Sequence, residues 1–589
     1  MGEIDGIDGI DGINGIDGID GINGIDGIDG IDGIDGIDGI DGIDGIDGID
    51  GPDNLGPEHA PYPSRRMPLL AARGVVSTSE PLAAQAGLRM LLQGGNAVDA
   101  ALATAISLTV LEPTSNGIGS DAFALVWDGS TLHGLNGSGR APATHDPDLF
   151  RRLGLETVPS RGWLPVTVPG APAAWHDLHA RFGRLPFAAL FEPAIAYAQE
   201  GFPPGPITAA GWSHAAEAYA LSNTTAEFAP WFETFAPRGR GPRPGEVWTL
   251  PDHAATLRRI ATEGAADFYH GALADRMVRF AEETGGYLTR ADLATHTSAW
   301  VEPIGASYHG YEVWEIPPNG QGIGALAALN ILEGCDLAAR PRESAQSYHL
   351  QIEAMKLAFA DSLAYVADPE QVDVPIRGLL DKEYAARRRA LIGERALDPV
   401  AGEPPRGGTV YLCAADGDGM MVSFIQSNYM GFGSGIVVPG TGIALQNRGA
   451  NFVLDPTHPN RVAPGKRPYH TIIPAFLTRG GAAVGPFGVM GGFMQPQGHV
   501  QMVVNGVDYG MNPQVSLDAP RWQWLGGKRI ELEAAAPREV REGLAARGHE
   551  VTVQRNAASF GRGQIIRRLA SGAYVAGSEP RADGCAVGY

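Results

Sequence analysis

Gly407-Gly408-Thr409 holds residues that could do chemistry an ordinary loop-to-strand junction does not. Val410-Tyr411-Leu412-Cys413-Ala414-Ala415 follows at once, an apolar run long enough for one buried strand. Asp416-Gly417-Asp418-Gly419 then reads as a turn, and Met420-Met421-Val422-Ser423-Phe424-Ile425 as the return strand of a hairpin. Scission of the Gly408–Thr409 bond would make Thr409 a new N-terminus, placing a hydroxyl nucleophile and an α-amine base on one residue. Glycine at 408 leaves the scissile carbonyl uncrowded and tolerates a strained backbone. A threonine opening a strand after two glycines is, taken alone, most often structural. The reading therefore depends on what accompanies it.

Downstream stand Ser427-Asn428-Tyr429-Met430-Gly431-Phe432-Gly433-Ser434-Gly435, Lys466-Arg467-Pro468 and Met490-Gly491-Gly492. Upstream stand Gly94-Gly95-Asn96-Ala97-Val98-Asp99-Ala100-Ala101, Leu111-Glu112-Pro113-Thr114-Ser115-Asn116-Gly117-Ile118-Gly119, Val168-Pro169-Gly170, Leu185-Pro186, Tyr308-His309-Gly310-Tyr311-Glu312-Val313 and Glu353-Ala354-Met355-Lys356-Leu357-Ala358-Phe359-Ala360-Asp361. This ordered set, covering roughly residues 70 to 589, resembles the gamma-glutamyltransferase (glutathione hydrolase) family of N-terminal nucleophile enzymes. The resemblance implies a proenzyme that cuts itself between Gly408 and Thr409. It implies Thr409 as nucleophile, Ser427 as a second hydroxyl supporting it, and Gly491 and Gly492 as the oxyanion-hole pair. Glycines suit that last task because backbone N–H groups approach a developing oxyanion most closely where no side chain intervenes. On their own they would read as a tight turn.

The substrate-binding pattern departs from the family. The arginine expected before the Ala-Pro step is replaced by Ser138, with Arg140 displaced by two residues. The family's glutamine–acid loop reads Asn447-Arg448-Gly449-Ala450-Asn451, so that Arg448 stands for the amide and Asn451 for the carboxylate. The family asparagine after the second hydroxyl falls on Tyr429, and its paired serines fall on His470 and Thr471. An ammonium group wants an anion, and these changes replace an anion with a neutral group and add a cation. The pattern resembles the oxamate-amidohydrolase-like branch, or more distantly acylases that cleave dicarboxylic monoamides. The expected activity is hydrolysis of a small anionic amide through an acyl-enzyme, with Arg448, Asn451, Tyr429, His470, Thr471 and Arg140 around the substrate. Transfer or hydrolysis of gamma-glutamyl amides is the alternative, and a processed but non-catalytic scaffold is the alternative of another class. Arg448 is itself open to two readings: ligand for a substrate anion, or partner of a structural carboxylate.

The elements that must position these residues are of both kinds. Residues 80–111 read as a helical unit, with Ser79-Glu80-Pro81 as start, Gly94-Gly95 as break and Asn96 as cap of a second, Ala-rich helix. Asp121 to Trp127 and Gly310 to Glu315 read as strands, and Ser344 to Ala367 as a long helix. Runs of helix and strand without regular alternation give an α+β class. The family resemblance sharpens it to a four-layer αββα sandwich. The implied division is a tail and linker over 1–64, a large subunit over 65–408 and a small subunit over 409–589. One precursor supplies both subunits, and a dimer of such pairs is left open.

The net charge of −23 is mostly the tail: sixteen Ile-Asp/Asn-Gly triplets from Ile4 to Gly51 carry fourteen aspartates, which with Glu3 leave −8 for the rest of the 589 residues. A period of three fits neither strand nor helix, so the tail is expected to be disordered and solvated. A mildly acidic body argues against nucleic acid as partner. Cys335, Cys413 and Cys585 are too far apart in sequence for a metal or redox pair, and His458, His470 and His499 lack a ligand spacing, so neither metal nor cofactor is expected. Gly431-Phe432-Gly433-Ser434-Gly435 lacks the Lys-Ser/Thr of a phosphate loop. No apolar run spans a membrane and no N-terminal stretch combines basic residues with an apolar core, so the expected location is cytoplasmic.

Overall fold

The computed structural model describes residues 66–399 and 408–589. The tail and linker expected over 1–64, and Gly407, lie outside the described residues. Two seven-stranded sheets form the centre. One runs Cys585–Gly588, Val75–Thr78, Gly408–Ala415, Met421–Tyr429, Asp121–Trp127, Leu132–Gly137 and Ala299–Val301. The other runs Leu69–Ala71, Tyr574–Ser578, Arg562–Arg568, Ala482–Met490, Ala475–Arg479, Tyr311–Glu315 and Ile304–Tyr308. Every pairing within them is antiparallel. Both sheets draw strands from each side of the Gly408–Thr409 bond, so the two expected subunits share one core.

The strand after Thr409 explains how the sheets meet. Val410, Leu412 and Ala414 alternate with Tyr411, Cys413 and Ala415, and all six are fully buried. One face meets the helix Ala97–Leu111 and the other meets the second sheet. There Tyr411 lies over Gly488, where a Cβ would stand only 2.4 Å from the ring, so a glycine is needed for the sheets to close. A buried hydrogen bond from Ser77 Oγ to Gln564 Oε1 (2.6 Å) also crosses between them. Each such pairing matters because an unmet polar group buried here would cost about 1–3 kcal/mol.

Helices cover both outer faces, giving the four layers. Pro81–Leu92 and Ala97–Leu111 pack on the first sheet; Gly322–Leu332 and Met494–Val507 pack on the second, with Ala345–Tyr365 outside Gly322–Leu332. The expected unit over 80–111 resolves into the first two of these. Within the expected start Ser79-Glu80-Pro81 the cap is Glu80, whose carboxylate accepts from Ala83 N (2.8 Å). Asn96 and Asp99 form a reciprocal capping box on the second. That second helix is buried along its whole length, which explains why its sequence shows no polar face. The return strand runs on to Tyr429, four residues beyond its expected end, because Gln426, Ser427 and Asn428 find buried partners.

Candidate active site

Thr409 sits at a slip in register. Gly408 pairs with Tyr429 and Val410 with Gln426, so one residue on this strand faces Ser427 and Asn428 on the next. Such a bulge re-aims side chains at the end of a ladder, and here it brings two hydroxyls together. Thr409 Oγ1 lies 3.1 Å from Ser427 Oγ, both residues being buried. Ser427 Oγ also accepts from the backbone N–H of Tyr429 (2.8 Å). Tyr429 holds φ at +76°, a conformation a bulky residue rarely adopts, and this turns its amide back onto Ser427.

The turn from the strand Ala482–Met490 into the helix Met494–Val507 supplies the third part. Gly491 and Gly492 have φ of +132° and +61°, values that only glycine adopts without strain. Their carbonyls accept from Met494 N (3.1 Å) and Gln495 N (3.2 Å), so the turn is clamped to the helix start. Gln321 Nε2 bonds both Gly492 O (2.9 Å) and Thr471 O (2.6 Å), tying the turn to the loop carrying His470 and Thr471. From the first turn of the helix, Gln495 donates to Thr409 Oγ1 at 3.4 Å, while its Oε1 accepts from Ile473 N (3.0 Å). Sequence reasoning named neither Gln321 nor Gln495. A glutamine following a Gly-Gly turn by three positions is the only signal available, and it carries no chemistry without the fold.

Arg448 and Asn451 stand on a single 3-10 turn, Arg448–Asn451. Arg448 is fully buried, with its guanidinium carbon 4.6 Å from the centre of the Tyr429 ring. Nη1 donates to Thr471 Oγ1 at 2.6 Å, whereas Nε and Nη2 have no hydrogen-bond partner among the described residues. Nor does Arg448 form an ion pair among them. Of its two readings, a partnership with a structural carboxylate therefore finds no direct contact. Burial pulls its pKa down to about 10, which still leaves it cationic near neutral pH, partly offset by Asp121 and Tyr429. The Tyr429 hydroxyl and Asn451 Nδ2 are likewise buried without a partner among the described residues.

His470 and Asp121 pair within reach of the Arg448 charge. Ile472 N donates to His470 Nδ1 (3.3 Å), so Nε2 holds the proton and donates to Asp121 Oδ2 (3.1 Å). Burial, with Arg448 adding to it, holds the imidazole neutral, its pKa well below the usual range. Burial raises the Asp121 carboxyl to about 7, against the pull of Arg448 and of the Gly139 and Gly170 amides. The pair is thus a neutral imidazole donating to a carboxyl group rather than an ion pair.

Arg140 is not brought into this cluster. Its guanidinium meets Glu370 (2.7 Å), Asp368 (3.5 Å) and the Gly465 carbonyl (3.2 Å). Ser138, which stands at the family's arginine position, is buried and bonded to Asn136 Oδ1 (2.7 Å). The Leu111–Gly119 motif braces the return strand: Asn116 Oδ1 accepts from Gln426 Nε2 (2.7 Å), and the Ser115 carbonyl accepts from Asn428 N (3.3 Å). Three ligand-type side chains that sequence spacing did not pair, His349, Glu353 and His549, do gather elsewhere. Lys356 Nζ lies 2.8 Å from Glu353 Oε1, and His349 Nδ1 lies 2.8 Å from His549 Nε2. Among the described residues no helix is long and apolar enough to cross a membrane.

Two antiparallel sheets stacked between helical layers, with a hydroxyl residue at the head of a central strand, define the N-terminal nucleophile hydrolase class. The chain belongs to the gamma-glutamyltranspeptidase family, whose profile matches residues 83–589, and it is an enzyme of that family. It is 37% identical over 529 residues to the glutathione hydrolase-like YwrD proenzyme of Bacillus subtilis, covering 88% of this chain and 99% of that protein. It is 33% identical to the oxamate amidohydrolase proenzyme of Klebsiella pneumoniae, covering 88% and 99%. The crystal structure of cephalosporin acylase from Bacillus halodurans superposes with a TM-score of 0.87 at 56% identity, covering 90% of this chain and 98% of that one.

Proposed function

We propose that the chain is a proenzyme that cuts itself between Gly408 and Thr409 and then hydrolyses small amides whose acyl group carries a carboxylate, oxamate being the simplest. In the precursor Thr409 Oγ1 attacks the Gly408 carbonyl, and water opens the resulting ester. In the mature enzyme the freed α-amine, with a reference pKa of about 7.7–8.0, takes the hydroxyl proton as Oγ1 attacks the substrate amide. Gly491 and Gly492 hold the oxyanion, the amine leaves with the returned proton, and water releases the acyl group from Thr409. Ser427 steadies Oγ1 throughout.

The observation that carries the substrate class is Arg448. A buried cation with two guanidinium nitrogens unmet and no ion pair among the described residues is costly unless an anion completes it. A guanidinium fork suits a carboxylate. Tyr429, whose ring lies against the guanidinium, and Asn451, on the same 3-10 turn, add unmet donors but no anion for an ammonium group, which is why a gamma-glutamyl head is disfavoured. The names of the related oxamate amidohydrolase and cephalosporin acylase support amide chemistry without fixing this substrate.

The test has two parts. N-terminal sequencing of the two bands from a denaturing gel should find Thr409 first in the smaller. Thr409→Ala should leave one band. The mature enzyme should release ammonia from oxamate faster than nitroaniline from a gamma-glutamyl anilide; the reverse preference would overturn the substrate assignment while leaving the nucleophile in place.

A further inference from the structure

Resting on Thr409 as the nucleophile, we infer that Gln495 is a catalytic residue whose side-chain amide stabilises the Thr409 oxygen as it leaves the acyl-enzyme. The geometry points to this because the orientation of the amide is fixed. Its Oε1 accepts from Ile473 N (3.0 Å), which leaves Nε2 facing Thr409 Oγ1 (3.4 Å). Both side chains are buried. The contact is long for a hydrogen bond, as catalytic contacts often are before substrate binds.

The hydroxyl oxygen of Thr409 has two lone pairs and one proton. During acylation Oγ1 gives its proton to the α-amine and one lone pair to the substrate carbon. A donor on the other lone pair eases loss of the proton but weakens attack, so the two effects oppose. During deacylation they do not. Water adds to the ester carbon and gives a proton to the α-amine; the tetrahedral intermediate then collapses, the carbon–Oγ1 bond breaks, and Oγ1 departs with the electron pair. Gln495 Nε2–H holds that charge until the α-ammonium returns the proton, leaving free Thr409 and the carboxylic acid product. The same step opens the ester formed in self-cleavage.

Gln495→Glu separates this role from a structural one, because the carboxylate keeps an acceptor for Ile473 N and lacks the donor. Deacylation should fall about 10- to 100-fold, somewhat under the 100- to 1000-fold typical of an oxyanion donor. Acylation should fall less, so that the released amine shows a burst followed by a slow phase. The ratio of variant to wild-type rate should rise as pH falls and the new carboxyl gains a proton to donate. Gln495→Leu should show the burst without that pH-dependent recovery. A Gln495→Glu enzyme that has Thr409 at its new terminus, shows no burst and keeps kcat within twofold of wild type would overturn the inference. Absence of the Thr409 terminus in the wild-type protein would instead remove the nucleophile on which it rests.

Discussion

On the proposed substrate class, replacing Arg448 with glutamine should remove the preference for anionic over neutral amides. Glutamine can still donate to Thr471 Oγ1, so the bond at 2.6 Å has a successor, while the positive charge and the fork of Nε and Nη2 are lost. Two charge-assisted hydrogen bonds to a substrate carboxylate, at about 1.5–3 kcal/mol each, set the loss in kcat/KM for oxamate at about 100- to 10,000-fold. Oxamide, its neutral counterpart of nearly the same shape, should change by no more than a few-fold. Folding stability should move the other way. Arg448 is fully buried with no ion pair among the described residues, so removing it deletes a desolvated charge, and Tm should hold or rise. The assay is ammonia release from both amides by wild type and variant, with thermal melts of each. Equal loss on oxamate and oxamide would mean that Arg448 supports the fold of the site rather than the substrate. A variant that also melts much lower would mean that the guanidinium meets a structural anion after all.

Two further outcomes follow from the same geometry. Gly491→Ala must adopt φ near +132° and places a Cβ 3.1 Å from Gly561 Cα, so the turn should shift its amide and kcat should drop by about 100- to 1000-fold, read by steady-state kinetics on processed enzyme. Asp121 has a folded pKa of about 7 against an ordinary 3.8, so the fold favours its protonated form. Its contribution to stability is therefore complete below about pH 4 and is lost as pH rises to about 7, a swing on the order of 4 kcal/mol. Burial holds the His470 imidazole neutral in the fold, so its own contribution to stability runs the other way with pH, and comparing the variant with the wild type isolates the carboxyl group. Melts of Asp121→Asn against wild type should show the wild type losing ground steadily from pH 4 to 7; a constant difference across that range would refute the shift.

What the sequence made legible follows from how locally each feature is encoded. The strand after Thr409 was readable because both of its faces are apolar, and the capped helix from Ala97 because Asn96 and Asp99 sit three residues apart. Thr409, Ser427, Gly491 and Gly492 were readable as a set only through family resemblance. No local pattern distinguishes a catalytic threonine from one that merely opens a strand. The register slip that sets Thr409 opposite Ser427 and Asn428 is invisible in sequence, since it is a property of two strands and not of either alone. The same reason hides Gln495 and Gln321. Each acts by reaching across elements distant in the chain, Gln495 to Thr409 and Ile473, Gln321 to Thr471 and Gly492. Arg140 shows the converse limit. Its position near the family's arginine suggested a substrate contact, but two residues of displacement turned it toward Asp368 and Glu370, which an acidic stretch 230 residues away supplies. The buried cation comes instead from the 3-10 turn at Arg448, whose unmet Nε and Nη2 are the feature that the proposed anionic substrate would complete.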